Sequence, residues 1–123
     1  MRKYRKGSVL VVLVAIAALV AAVSAFGGST AASATTVTVT AGKPSELRFT
    51  LSKKTITRGV TTFKVTNRGM LSHDFKIAGK RTVLLKTGKL ATLRVTLKAG
   101  KFAYLCTVPG HAAAGMKGTL IVK

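Results

Sequence analysis

One cysteine, two histidines and one of three methionines stand at spacings that suit a soft metal ion. Cys106, His111 and Met116 fall in a single C-x4-H-x4-M run, Cys106-Thr107-Val108-Pro109-Gly110-His111-Ala112-Ala113-Ala114-Gly115-Met116. A thiolate, an imidazole and a thioether are soft or borderline donors, suited to copper and poorly suited to magnesium or calcium, which take oxygen. Pro109-Gly110 bends the chain so that His111 returns towards Cys106, and Gly115 lets it close around Met116. A third strong donor has to come from elsewhere, and His73 is the only other histidine. Two imidazoles and one thiolate with a long, weak thioether make the trigonal blue-copper arrangement. The metal set is therefore His73, Cys106, His111 and Met116, for one copper ion cycling between Cu(II) and Cu(I). Each residue alone has an ordinary reading: an inert buried thiol, a core or edge histidine, a loop histidine, a methionine filling a core gap. Their joint occurrence is what carries the metal reading.

The elements that position these donors repeat with period two. Val37 and Val39 alternate with threonines, Leu47, Phe49 and Leu51 with Arg48 and Thr50, and Phe63 and Val65 with Thr62, Lys64 and Thr66. Ala91, Leu93, Val95 and Leu97 alternate with Thr92, Arg94, Thr96 and Lys98, and further strands read at 73–78, 81–85, 101–106 and 119–122. Such alternation marks half-buried strands. Turn signals separate them at Gly42-Lys43-Pro44, Asn67-Arg68-Gly69, Ala78-Gly79-Lys80, Thr87-Gly88-Lys89 and Ala99-Gly100-Lys101. No stretch repeats a helical pattern. Seven or eight short strands at this spacing predict an all-β, Greek-key antiparallel β-sandwich. His73 heads the set His73, Phe75, Ile77, which places its ring on the inward face, and Cys106 ends a strand, which fixes its sulfur.

The first 34 residues read as an address. Arg2, Lys3, Arg5 and Lys6 precede an apolar run over residues 9–23, and small residues follow. Cleavage after Ala25 or, preferably, after Ala34 divides the chain into a signal peptide at 1–34 and one domain at 35–123; the competing reading is an uncleaved membrane anchor over residues 9–26. The location expected is extracytoplasmic: secreted, periplasmic or cell-envelope associated. An exported chain with a single cysteine needs an explanation for the thiol, since no partner exists for a disulfide, and metal ligation supplies one. Without the four leader cations, 17 Lys and Arg face only Glu46 and Asp74, a formal +15. The cations are dispersed and not interleaved with aromatics, so nucleic acid is not the expected partner; an acidic protein or an anionic membrane is. The bland reading is a solvated basic face.

The segment from about Val65 to Lys123 resembles the plastocyanin and azurin group of cupredoxins. Cys-Thr-Val-Pro-Gly-His at 106–111 is similar to the azurin loop, and His-Ala-Ala-Ala-Gly-Met at 111–116 to the plastocyanin spacing, a mixture found in auracyanin-like proteins. Asn67-x-Gly69 leading to Ser72-His73-Asp74-Phe75 and the Phe102-x-Tyr104-x-Cys106 strand also resemble the family. Many members carry Asn directly after the first histidine, tying the two ligand loops together; here Asp74 stands there. Its carboxylate is expected to accept hydrogen bonds from Thr107 and, as an anion near the metal, to lower the reduction potential.

The function expected is one-electron transfer by a monomer, without enzymatic activity, because protein donors fill every strong position and the axial one. In the family the edge of the second histidine meets an apolar patch that docks redox partners. Pro109, Ala112, Ala113 and Ala114 are expected to form that rim, with Met70 and Leu71 beside it. Two readings compete: extracytoplasmic copper carriage or storage, and a metal-free basic envelope interaction module. Against carriage, the chain has no Met or His cluster along which to pass an ion; against the module, Cys106 is left unexplained.

Overall fold

The computed structural model describes residues 34–123. The leader reading, with its cleavage or anchoring, falls on residues outside those described. Nine strands form, β1 (Thr35–Ala41), β2 (Phe49–Leu51), β3 (Thr55–Ile56), β4 (Gly59–Asn67), β5 (Lys76–Ile77), β6 (Lys80–Arg81), β7 (Leu90–Leu97), β8 (Gly100–Leu105) and β9 (Lys117–Val122), and no helix occurs among the described residues. They build two sheets, ordered β2-β1-β4-β7 and β3-β9-β8-β5-β6.

The period-two pattern fixes which face is buried. In the first sheet Val37 and Val39 of β1 pair with Phe63 and Val65 of β4, which pair in turn with Leu93 and Ala91 of β7. A register slip of one residue would turn this entire row to solvent and bring Thr36, Thr38, Lys64 and Thr92 inside. The second sheet contributes Ile77, Tyr104, Leu120 and Val122. Between the layers Phe75 packs on three other rings: Phe49 at 5.4 Å edge-on, Phe63 at 5.2 Å and Tyr104 at 5.5 Å. Offset and edge-on rings at such separations attract beyond their burial alone. A second, smaller apolar cluster of Ala41, Cys106 and Met116 lies at the ligand-bearing end of the sandwich, flanked by Leu47, Phe49 and Val108.

Two details depart from the sequence reading. Each sheet holds one parallel pair, β1 with β4 and β3 with β9, inside otherwise antiparallel pairing. Both arise where the chain crosses between layers before returning to its sheet, since β3 lies between β2 and β4 in sequence but belongs to the other sheet. The strand expected over 81–85 is mostly irregular. Thr82 Oγ1 accepts from the Phe75 N–H at 3.1 Å and donates to the Val83 carbonyl at 2.9 Å, replacing ladder bonds with local ones. Val83 and Leu84 consequently stay exposed, and only Leu85 returns to bridge His73.

The inner face of β4 also carries a cost. The Thr61 hydroxyl is fully buried without a hydrogen-bond partner. Thr61→Val removes the unsatisfied oxygen at nearly constant volume and is expected to raise stability by about 1 kcal/mol. Urea unfolding of the two proteins measures this, and an unchanged or lower midpoint contradicts it.

Candidate metal centre

Two loops at one end of the sandwich bring the donors together. The first runs from β4 to β5 and is clamped by Asn67, which is fully buried. Its side-chain amide donates to the Leu71 and Leu85 carbonyls, both at 2.7 Å, and its oxygen accepts from the Gly69 N–H at 2.9 Å. His73 then exchanges backbone hydrogen bonds with Leu85 in both directions, at 3.0 and 2.8 Å, an isolated bridge that fixes its backbone just ahead of β5. The second loop joins β8 to β9 and is stitched internally. Cys106 N–H donates to the Met116 carbonyl, His111 N–H to Val108, Ala114 N–H to Gly110 and Met116 N–H to His111, all at 3.0–3.1 Å.

The geometry of the donors follows. His73 Nδ1 and His111 Nδ1 stand 3.2 Å apart, and Cys106 Sγ lies 3.9 Å from the first and 3.6 Å from the second. The centre of a triangle with these sides is about 2.1 Å from every corner, within the roughly 2.0–2.3 Å at which imidazole nitrogen and thiolate sulfur bind a d-block ion of this size. The donor set thus fits copper both in chemistry and in spacing. Met116, fully buried in the cluster with Cys106, completes the arrangement of a single type 1 copper site. His73 and Cys106 are likewise buried, while His111 is partly exposed.

The surrounding charges are few. Burial pushes the Cys106 thiol up, with backbone hydrogen bonding from Asp74 and Val108 working against it. Burial pushes His111 down, and the neighbouring His73 adds to this. Asp74, buried beside the centre, joins the two loops: its Oδ1 accepts from the Thr107 N–H at 2.6 Å, and its Oδ2 accepts from the Thr107 hydroxyl. Pro109, Ala113 and Ala114 are exposed around His111 and Ala112 is half-buried, while Met70 and Leu71 are exposed on the first loop.

Two residues in the turn before β2 were not singled out by the sequence. Glu46 Oε1 faces His73 Nε2 at 2.8 Å and accepts from the Leu71 N–H at 2.8 Å, while Oε2 accepts from the Met70 N–H at 2.9 Å. The N–H groups of Met70 and then Leu71 hold its carboxyl down to about 2, with His73 acting in the same direction. Arg48 Nη1 donates to the Gly115 carbonyl at 2.8 Å. The available signal was scarcity, since Glu46 and Asp74 are the only acidic residues of the chain.

Comparison with known proteins agrees with this geometry. Auracyanin B superposes with a TM-score of 0.64 at 23 % identity, over 72 % of this chain and 88 % of that one. Auracyanin A, a "blue" copper protein from Chloroflexus aurantiacus, gives 0.62 at 21 % identity, over 73 % and 99 %. Rusticyanin from Thiobacillus ferrooxidans gives 0.57 at 27 % identity, over 73 % and 77 %. No curated protein sequence matches the chain. The family of copper binding proteins described as plastocyanin/azurin matches residues 30–123, a stretch that takes in both ligand loops and all the strands of the described residues. With its donors at copper-bonding spacing and its sandwich shared with auracyanin and rusticyanin, this chain belongs to the plastocyanin/azurin family of cupredoxins, whose cofactor is copper.

Proposed function

We propose that the protein is an exported one-electron carrier in which His73, Cys106 and His111 are the strong copper ligands and Met116 the weak axial one. The observation that carries this reading is the convergence of three donor atoms within 3.9 Å of one another on two hydrogen-bonded loops. Bound copper supplies the one-electron couple. The protein's part is to hold the donors still: the backbone bonds across residues 106–116 and the Asp74–Thr107 bridge resist any change of ligand geometry between oxidation states. His111, the only partly exposed member of the three, is the route by which the centre reaches the surface. Around it Pro109, Ala112, Ala113 and Ala114, with Met70 and Leu71, supply a small apolar rim suited to brief encounters. The leader, with basic residues before an apolar run, supports export, and the basic surface supports an acidic protein or anionic membrane as partner.

Three measurements test the reading. The domain with one equivalent of Cu(II) is expected to show an intense blue thiolate band and narrow copper hyperfine splitting, both lost in Cys106→Ser; a colourless protein that binds only Cu(I) would favour carriage instead. Copper uptake has to displace the proton from the raised Cys106 thiol, whereas His111, pushed down, is already neutral at mildly alkaline pH. Uptake in weak buffer should then release about one proton more from the wild type than from Cys106→Ser. If the basic surface guides docking, oxidation of the reduced protein by an anionic metal complex should slow steeply as the Debye length falls from about 30 to about 3 Å between 0.01 and 1 M salt. A cationic complex should show the opposite trend, and a flat response to both removes the electrostatic part of the proposal.

A further inference from the structure

The turn between β1 and β2 packs Leu47 against the small apolar cluster of Ala41, Cys106 and Met116, and its polar side chains reach both ligand loops. It is closed by the Gly42 N–H donating to the Arg48 carbonyl at 2.9 Å. From it Glu46 takes three polar groups of the first loop: the N–H groups of Met70 and Leu71 and the outer ring nitrogen of His73. Arg48 takes the carbonyl of Gly115, which immediately precedes Met116 in the second loop. Both contacts lie flush on a glycine. A Cβ at Gly69 would run into the Glu46 carboxylate, and a Cβ at Gly115 would run into the Arg48 guanidinium. The space that these glycines leave is therefore filled by the two charged ends of one short segment.

We infer that Glu46 is a positioning residue for the copper centre, holding His73 with Nδ1 turned to the metal and, through its charge, favouring Cu(II) over Cu(I). A His73 ring that binds through Nδ1 carries its proton on Nε2, and that N–H donates to the Glu46 carboxylate 2.8 Å away. An anion accepting this bond fixes the tautomer and the ring plane, and it makes the imidazole a stronger donor. Greater donation stabilises the more highly charged oxidation state, so the charge on Glu46 lowers the reduction potential. Arg48 donates to the Gly115 carbonyl of the other loop, one residue before Met116, and not to a ligand side chain.

The inference rests on the copper reading, and the experiment separates the two. Midpoint potential and copper hyperfine splitting are measured for the copper-loaded full chain, for Glu46→Gln and for Arg48→Gln. A wild-type protein without a blue band refutes the copper reading itself. With the blue band present, Glu46→Gln is expected to raise the potential, because an acceptor of the same length has lost its charge. Arg48→Gln, which removes a cation, is expected to lower the potential or leave it unmoved. A Glu46→Gln protein with its blue band intact and its potential unchanged or lowered overturns the inference, as does an equal upward shift in both variants, which is the mark of general loosening. One measurement needs no variant: in the Cu(I) wild type, the His73 Nε2–H resonance is expected to be downfield and slow to exchange with solvent. Rapid exchange there overturns the inference even if Glu46→Gln fails to fold.

Discussion

Three donors carried by two separate loops have to meet at one point, and the rest of this sandwich is organised around that demand. Ligand geometry held to within about 0.5 Å requires supporting residues that are themselves locked. Here no disulfide helps, because Cys106 is the sole cysteine and is itself a donor. The lock is polar instead. Asn67 satisfies two backbone groups of the first loop and ties it to the Leu85 carbonyl beyond β6, Asp74 joins the first loop to the second through Thr107, and Glu46 and Arg48 grip both loops from a third segment. Buried polar groups of this kind stabilise only when every member is satisfied, and Asn67 meets that condition with both its amide and its oxygen engaged.

The distribution of charge follows the same logic. A chain with 21 Lys and Arg has only two acidic residues, and both lie beside the donors. Near a protein surface two unit charges 4 Å apart interact by about 4 kcal/mol, against about 1 kcal/mol in bulk water. Charges separated by more than about 8 Å of solvent are largely screened at physiological salt. The two carboxylates therefore act on the centre far more strongly, charge for charge, than the dispersed cations do. Apart from Arg48, which binds the Gly115 carbonyl of the second loop, the cations act outward, on whatever approaches, and the carboxylates act inward, on the ligands.

How much of this the sequence disclosed depended on whether a feature is periodic, local or tertiary. Periodic features were legible: the alternation in residues 91–97 and 62–66 gave β7 and β4 and their buried faces, because a half-buried strand has no other way to satisfy both sides. The linked run from Cys106 to Met116 was legible because one loop supplies three donors, and His73 followed because no other histidine exists. The strand expected at 81–85 failed because a single hydroxyl, Thr82, bonds locally to the backbone at Phe75 and Val83, and nothing in an alternating pattern records such competition. The parallel pairs were hidden for a similar reason, since crossing between layers is a property of the whole topology. Glu46 stayed invisible because its partners, Met70, Leu71 and His73, are more than twenty residues away and its own neighbours form an ordinary polar turn.

The same geometry bears on which copper function is the better reading. A protein that hands on its ion needs donors that an acceptor can approach one after another, replacing each bond as it breaks. In this chain His73, Cys106 and Met116 are all at most 1 % exposed, and only the edge of His111 meets solvent. Removing the ion would require opening loops closed by Asn67, Asp74, Glu46 and Arg48 together. An electron needs no such opening: it needs one partly exposed ligand and a frame that does not relax when the metal's charge changes. The clamps that obstruct transfer of the ion are therefore the features that favour transfer of the electron.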